Sequence, residues 1–141
     1  MHEPVKFHFD VDGENFSSAG EASVMVKKKL RQLGFAPDVM RRVSIAMYEG
    51  EINMVIHAGG GEADVLIFED RIEIHLIDNG PGIANIDLAM QEGFSTAPDN
   101  IRSLGFGAGM GLPNMKRYSD SITIDSALGK GTKILMTVNL S

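Results

Sequence analysis

Apolar and polar residues in the first part of the chain recur with two different periods. Alternation over residues 5–11 predicts a short strand, because the side chains of a strand point to its two faces in turn. A helical repeat then begins at Ser17 or Ser18, either of which would cap the helix, and runs to about Leu33. A second helix is predicted over residues 37–57, where three consecutive glycines end the pattern.

The rest of the chain combines strands with one long irregular segment. Residues 63–68 and 71–78 predict two strands joined by a tight turn, and a glycine-rich segment follows over roughly 79–111. Connections of this length are often functional lids. The remaining predicted elements are a short helix at 86–92, a helix starting near Leu112-Pro113, and strands at about 119–126 and 131–139.

This order of elements predicts an α+β fold. We expect a two-layer sandwich in which the helices lie on one face of a mixed, mostly antiparallel sheet. The 141 residues are close to the commonest size of a single domain, so one domain over 1–141 is expected.

The second predicted helix carries polar residues in the middle of its apolar stripe. Glu49, Asn53 and His57 are spaced by four residues and therefore lie along one line of the helix. An unpaired carboxylate buried there would cost on the order of several kcal/mol. Either a cavity opens onto this line and the first two residues meet a ligand or metal, or Glu49 pairs with a buried cation and Asn53 caps a backbone group. A packing or capping role is favoured for His57, and Glu51 is expected on the opposite, solvated face.

The turn after the strand at 71–78 offers a second group of candidates. Asp78 shares the inward face of its strand and precedes Gly80 and Gly82, so its carboxylate could accept a hydrogen bond from the exocyclic amine of adenine. A plain Asp-Asn-Gly turn is the alternative. Thr132 also faces inward, so the two polar groups could frame one base, unless residues 129–132 form only a hairpin turn.

Residues 105–112 place four glycines at every second position. Glycine lets backbone N–H groups approach an anion, and the N-terminus of the following helix attracts phosphate. The segment has neither the Gly-Lys-Ser/Thr of a Walker loop nor the sixth-position glycine of a dinucleotide fingerprint. A phosphate-binding loop is predicted, with a merely flexible loop as the alternative.

Charge and composition exclude several classes of protein. The formal net charge is −6, and the densest basic run, at 27–31, lies in a helical pattern, so a solvated helix face is favoured over a nucleic-acid interface. The absence of cysteine excludes disulfides and thiolate metal sites. No apolar stretch approaches the ~18 residues of a membrane span, and the first residues do not resemble a signal peptide, so no membrane contact and a cytoplasmic location are expected.

Four motifs occur in an order that resembles the N, G1, G2 and G3 boxes of the GHKL superfamily of ATP-binding domains. They are Glu49-x-x-x-Asn53-x-x-x-His57, Asp78-x-Gly80-x-Gly82-Ile83, Gly107-x-Gly109-x-Gly111-Leu112 and Gly129-x-Gly131-Thr132. The resemblance implies the Bergerat fold with a glycine-rich ATP lid. Within the superfamily, the chain is similar to bacterial anti-sigma-factor serine kinases and especially to the switch kinase of the stressosome pathway.

The resemblance also implies a role for each box. Glu49 would be the general base, Asn53 would ligate Mg²⁺ bridging the ATP phosphates, and Asp78 would accept from the adenine amine with Thr132 assisting through water. The other cofactor-binding residues implied are Gly80, Gly82, Ile83, Gly105, Gly107, Ala108, Gly109, Met110, Gly111 and Leu112. Related sporulation-type kinases carry an arginine just before the glycine lid, and here the aligned position is Gly107, with Arg102 nearby.

The function implied is a serine/threonine protein kinase that uses ATP and Mg²⁺. Its partner would be a small protein of the anti-sigma-antagonist type, with a sigma factor or another regulator as a further partner and a homodimer as one option. A nucleotide-dependent protein-binding module and a weak ATPase without phosphotransfer are the alternatives.

Overall fold

The structure is a computed structural model that describes residues 3–13, 19–82 and 111–140. Eight helices and strands lie within these ranges. In chain order they are β1 (Val5–Asp12), α1 (Glu21–Gln32), α2 (Pro37–Ala58), β2 (Gly60–Ile67), β3 (Arg71–Asp78), α3 (Gly111–Tyr118), β4 (Ser121–Ser126) and β5 (Thr132–Asn139).

The five strands form one sheet in the order β1-β2-β3-β5-β4. β3 is the central strand, and it pairs with β2 on one side and β5 on the other. All four pairings are antiparallel, so the parallel component of the predicted mixed sheet is absent from the described strands. The predicted α+β sandwich itself is confirmed.

The hydrophobic core lies between one face of this sheet and the three helices. Alternate residues of β3 are buried, as strand periodicity requires. α2 contacts both other helices and the strands beneath it, so it is the central helix of the second layer. The largest fully buried side chains are Leu30, Met47, Ile72, Ile74, Leu76, Met115, Met136, Val26, Val43, Val65 and Val138.

Two element boundaries differ from those predicted. α1 begins at Glu21 rather than at a serine cap, after Gly20 with φ 98°, and residues 14–18 lie outside the described part. β2 begins at Gly60, three residues earlier than predicted, because the glycines before residue 63 do pair with β1. A Cβ on Gly60 would lie 2.3 Å from the Val11 carbonyl oxygen, so this close pairing requires glycine.

The remaining boundaries agree with the predictions to within a few residues, and the short helix predicted at 86–92 lies outside the described residues. Across the described ranges, every helix is either too short or too polar to cross a membrane.

Candidate functional site

Glu49 and Asn53 of α2 face the first residue of α3. A Cβ placed on Gly111 would lie 3.9 Å from Asn53 Oδ1 and 4.0 Å from Glu49 Oε2. Both side chains are half-buried, so neither is sealed into the core. The polar line predicted on α2 therefore borders Gly111, the first residue of α3, and a ligand site at this position stays a prediction.

Glu49 has a single hydrogen-bond partner among the described residues. Its Oε1 accepts from Asn114 Nδ2 at 3.3 Å. Burial raises the pKa of Glu49, and the bond from Asn114 offsets only part of that shift. No cation of the described ranges pairs with this carboxylate. The described residues therefore do not support the alternative in which Glu49 pairs with a buried cation.

Asn53 and His57 complete the polar line in different ways. The Asn53 side chain makes no hydrogen bond to a described residue, so its amide oxygen is uncommitted and does not cap the backbone there. His57 lies in the last turn of α2, and burial lowers its pKa, which favours the neutral imidazole. A half-buried, neutral histidine agrees with the packing role favoured from the sequence.

Asp78 and Thr132 lie directly opposite each other, on β3 and β5. Asp78 Oδ1 accepts a hydrogen bond from the Gly80 N–H at 2.9 Å, which leaves Oδ2 without a described partner. Thr132 is 6% exposed, and its hydroxyl shares a 2.8 Å hydrogen bond with the Ser126 hydroxyl. The predicted juxtaposition of two inward polar groups is confirmed, and Ser126 is a third polar group that the sequence did not single out.

The turn after β3 is held between the end of α2 and the β4–β5 hairpin. A Cβ on Gly80 would lie 2.5 Å from Ala58 Cβ. Gly82 has φ 81°, and a Cβ there would lie 2.2 Å from the Ala127 carbonyl oxygen. Neither position admits a larger residue without displacement of its neighbours, so these glycines bring Asp78 close to the C-terminal end of α2.

Glu51 corrects one expectation from the sequence. It was placed on a solvated face, but it is only 2% exposed. Its carboxylate accepts three backbone hydrogen bonds, from Gly20 at 2.8 Å, Ser23 at 3.0 Å and Ala22 at 3.1 Å. The face of α2 opposite Glu49 therefore packs against the start of α1, and Glu51 supplies the cap for which a serine was predicted.

A second group of side chains of the kind that can bind metal lies on the outer face of the sheet, the face away from the helices. His8, Asp10 and Glu62 lie close together there, and all three are exposed. His8 is already hydrogen-bonded to Asp10 and Asp64. This outer cluster lies on β1 and β2 and is separate from the polar line of α2.

These positions can be compared with known proteins. Residues 38–141 match the family of histidine kinase-, DNA gyrase B- and HSP90-like ATPases. The chain belongs to this ATPase family. Membership confirms the resemblance seen in the four motifs, and it makes the protein a nucleotide-using domain.

Two relatives of this chain carry informative names. An anti-sigma F factor of Clostridium beijerinckii is 35% identical in an alignment 121 residues long that covers 82% of this chain and 81% of the relative. The serine/threonine-protein kinase RsbT of Bacillus subtilis is 34% identical in an alignment 108 residues long that covers 74% of this chain and 75% of the relative.

Solved structures agree with the fold of this chain. A Mycobacterium tuberculosis structure of RsbU and RsbW domains aligns with 96% of this chain and 32% of its own, at a TM-score of 0.66 and 16% identity. A mycobacterial sensor histidine kinase, MprB, aligns at a TM-score of 0.54 and 18% identity, over 96% of this chain and 97% of its own. At these identities the likeness concerns the fold alone.

Part of the expected nucleotide site lies outside the described residues. Within the described part, Gly111 borders Glu49 and Asn53, whereas the Leu112 side chain packs in the hydrophobic core. The phosphate-binding loop therefore stays a prediction over most of its length. The candidate residues outside the described ranges are, in the loop, Gly105, Gly107, Ala108, Gly109 and Met110, and before it Ile83 and Arg102.

Proposed function

We propose that the protein is an anti-sigma regulatory serine/threonine kinase that transfers the γ-phosphoryl group of ATP to a small partner protein of the antagonist type. The names of its relatives, an anti-sigma F factor and a serine/threonine-protein kinase, support this proposal. The observation that carries it is Glu49, a half-buried carboxylate with one hydrogen bond and no cation among the described residues, beside an uncommitted Asn53.

Glu49 is the general base of the proposed reaction. Its raised pKa makes the carboxylate a better proton acceptor than an ordinary exposed one. It takes the proton of the partner's hydroxyl as that oxygen bonds to the γ-phosphorus and the bond to ADP breaks. Such reactions need positioning and charge neutralisation more than covalent help from the protein.

Asn53 is the proposed ligand of Mg²⁺. When it is bound, this cation would neutralise part of the negative charge of the ATP phosphates. The amide oxygen of Asn53 fits the role of ligand because it is half-buried, has no described partner, and lies next to a glycine at 111. Mg²⁺ favours oxygen ligands and commonly takes one or two from protein, the rest from water and phosphate. One neutral protein oxygen therefore suits Mg²⁺ better than it suits a transition metal.

Asp78 is the proposed acceptor for the adenine amine. Its Oδ1 is held by the Gly80 N–H, so the carboxylate is oriented while Oδ2 remains open. The Thr132 hydroxyl, across the strand pair, assists through water. The glycines at 80, 82, 105, 107, 109 and 111, with Ile83, Ala108, Met110 and Leu112, complete the proposed contacts to the nucleotide. On this proposal the chain acts as one domain over residues 1–141.

Incubation with labelled ATP, Mg²⁺ and a panel of small antagonist-type proteins tests the proposal. The expected product is a phosphorylated partner whose label survives acid, as a serine or threonine ester does and a phosphohistidine does not. A sigma factor or another regulator bound by the protein, and a homodimer, are further parts of the proposal that pull-down and sedimentation would test.

A nucleotide-dependent binding module is the second candidate function. It is favoured by one observation, which is that residues 105–112 contain no arginine to reach the γ-phosphate. A protein that binds ATP and associates with its partner in a nucleotide-dependent way, but leaves every partner unlabelled, would replace the kinase proposal with this one.

A further inference from the structure

Asn114 of α3 links Glu49 to a cation. Its Nδ2 donates to Glu49 Oε1 at 3.3 Å, and its Oδ1 accepts from an Arg117 guanidinium nitrogen at 3.4 Å. This is the orientation of the amide that the charges require. The reverse orientation would place the amide oxygen against a carboxylate and the NH₂ group against a guanidinium, and both contacts would be repulsive.

Asn114 is placed firmly with respect to α2. The residues on either side of it, Pro113 and Met115, are both buried. Gly50, the neighbour of Glu49, lies against Met115, because a Cβ on Gly50 would be 3.3 Å from the Met115 sulfur. The position of the Asn114 amide therefore follows from core packing, and its contact with Glu49 is not a chance meeting of two surface side chains.

The two oxygens of Glu49 differ in their surroundings. Oε1 accepts the bond from Asn114, whereas Oε2 is the oxygen that faces Gly111, 4.0 Å from the position of a Cβ there. A carboxylate rotates freely when neither oxygen is held. With Oε1 held from α3, Oε2 stays directed to the side of α2 on which Asn53 lies.

We propose that Asn114 is a positioning residue for the transfer reaction: it holds Glu49 Oε1, so that Oε2 is the oxygen presented to the hydroxyl of the partner. Arg117 contributes indirectly, because its guanidinium group fixes the orientation of the Asn114 amide. The inference rests on the proposed function, since it assigns to Asn114 the orientation of the base in that reaction. The bonds of 3.3 and 3.4 Å are long, as is common for catalytic contacts before substrate binds, and we expect them to shorten in the complex.

The test compares Asn114→Ala and Asn114→Leu with the wild type in the full chain. Asn114→Leu has nearly the same size and shape but no donor and no charge, so it separates the hydrogen bond from the space that Asn114 fills. We expect kcat to fall about tenfold in both variants, the loss typical of one hydrogen bond to a charged group, with the KM for ATP within about twofold of the wild type. Lys116→Ala, an exposed neighbour on the same helix, is the matched control and should keep the wild-type kcat.

A double-mutant cycle asks whether Asn114 acts through Glu49. In the Glu49→Gln background, the further change Asn114→Ala should alter kcat by less than about twofold, because the group that it positions is already gone. If the losses from Glu49→Gln and Asn114→Ala multiply in the double variant, the inference is overturned, and an Asn114→Leu protein with wild-type kcat would overturn it too. Either result leaves the kinase proposal standing, whereas a wild-type protein without transfer activity removes both.

A second readout needs no nucleotide and no partner. The side-chain NH₂ resonances of Asn114 in the isotope-labelled free protein should shift on Glu49→Gln, because a charged acceptor is replaced by a neutral one. They should not shift on Asp125→Asn, which changes an exposed carboxylate of β4. If the Asn114 resonances do not shift on Glu49→Gln, that result would contradict the hydrogen bond on which the inference depends.

Discussion

Glu49 and Glu51 lie two residues apart on α2 and have opposite surroundings. Glu51 is 2% exposed and accepts three backbone N–H groups from the start of α1. Glu49 is half-buried and accepts one hydrogen bond, from Asn114. Both carboxylates are removed from bulk water to different degrees, but only Glu51 has most of its hydrogen-bonding capacity used by described residues of the protein.

This difference separates a structural carboxylate from a reactive one on the same helix. A buried carboxylate whose two oxygens already accept three fixed backbone N–H groups has little accepting capacity left for a substrate proton. A carboxylate that is partly desolvated and only partly hydrogen-bonded keeps that capacity, at the cost of a raised pKa. The number of donors used, more than the degree of burial, distinguishes the two residues.

The comparison of Glu49 with Glu51 predicts its largest effect for the rate of phosphoryl transfer. Glu49→Gln keeps the shape of the side chain but removes the base, so transfer to the partner should fall by ~10²–10⁴. Mg·ATP affinity, measured by titration calorimetry, should be retained or slightly increased because one negative charge near the phosphates is gone. A folded Glu49→Gln protein that transfers at the wild-type rate would show that Glu49 is not the base.

The second effect is on stability and concerns the other carboxylate. Glu51→Gln replaces a charged acceptor of three buried N–H groups by a neutral amide whose NH₂ opposes some of them. We expect a loss of about 3 kcal/mol of unfolding free energy. Thermal denaturation should then show a Tm lower by roughly 10 °C. Glu49→Gln is the matched control, and equal melting temperatures for the two variants would contradict a structural role peculiar to Glu51.

A third carboxylate, Asp78, lies between these extremes, with one oxygen held by the Gly80 N–H and the other open. Asp78→Asn can keep the bond to Gly80 but presents an amide to the adenine amine. ATP affinity should fall by at least about tenfold, the effect of losing one hydrogen bond to a charged group. Asp125→Asn, an exposed carboxylate on β4, should bind ATP normally. Unchanged affinity in folded Asp78→Asn would exclude the adenine contact.

The smallest effect is a pH dependence that follows from the raised pKa of Glu49. Since folding raises this pKa above its ordinary value of 4.5, the contribution of Glu49 to stability is fully present below pH 4.5 and is lost as the pH rises through the pKa of the folded state. Glu49→Gln does not titrate, so its Tm relative to the wild type should increase from pH 4 to pH 7. His57 is common to both proteins and cancels in the difference. A difference in Tm that stays constant with pH would contradict the raised pKa.

The parts of the site that the sequence predicted depend on local periodicity. Strand alternation alone placed Asp78 and Thr132 on the inward face, and the β3–β5 register then set them opposite each other. Helical spacing likewise placed Glu49 and Asn53 on one line. These features need no knowledge of distant contacts, which is why pattern reasoning was sufficient.

Glu51 was misplaced although its surroundings in sequence resemble those of Glu49. Met47 and Val55 precede and follow it by four residues, and both are buried. That spacing puts Glu51 in an apolar line too. The hydrogen bonds that its carboxylate makes depend, however, on where the start of α1 lies in the fold. Asn114 could not be linked to Glu49 for the same reason, since 65 residues separate them and the direction of α3 sets their contact.

The cap that Glu51 provides also has a consequence for hydrogen exchange. The first N–H groups of a helix have no acceptor within the helix and normally exchange with solvent almost without protection. Here the amides of Gly20, Ala22 and Ser23 are bonded to a buried carboxylate of another helix. They can exchange only when α1 and α2 separate, so their exchange rates measure the free energy of that local opening.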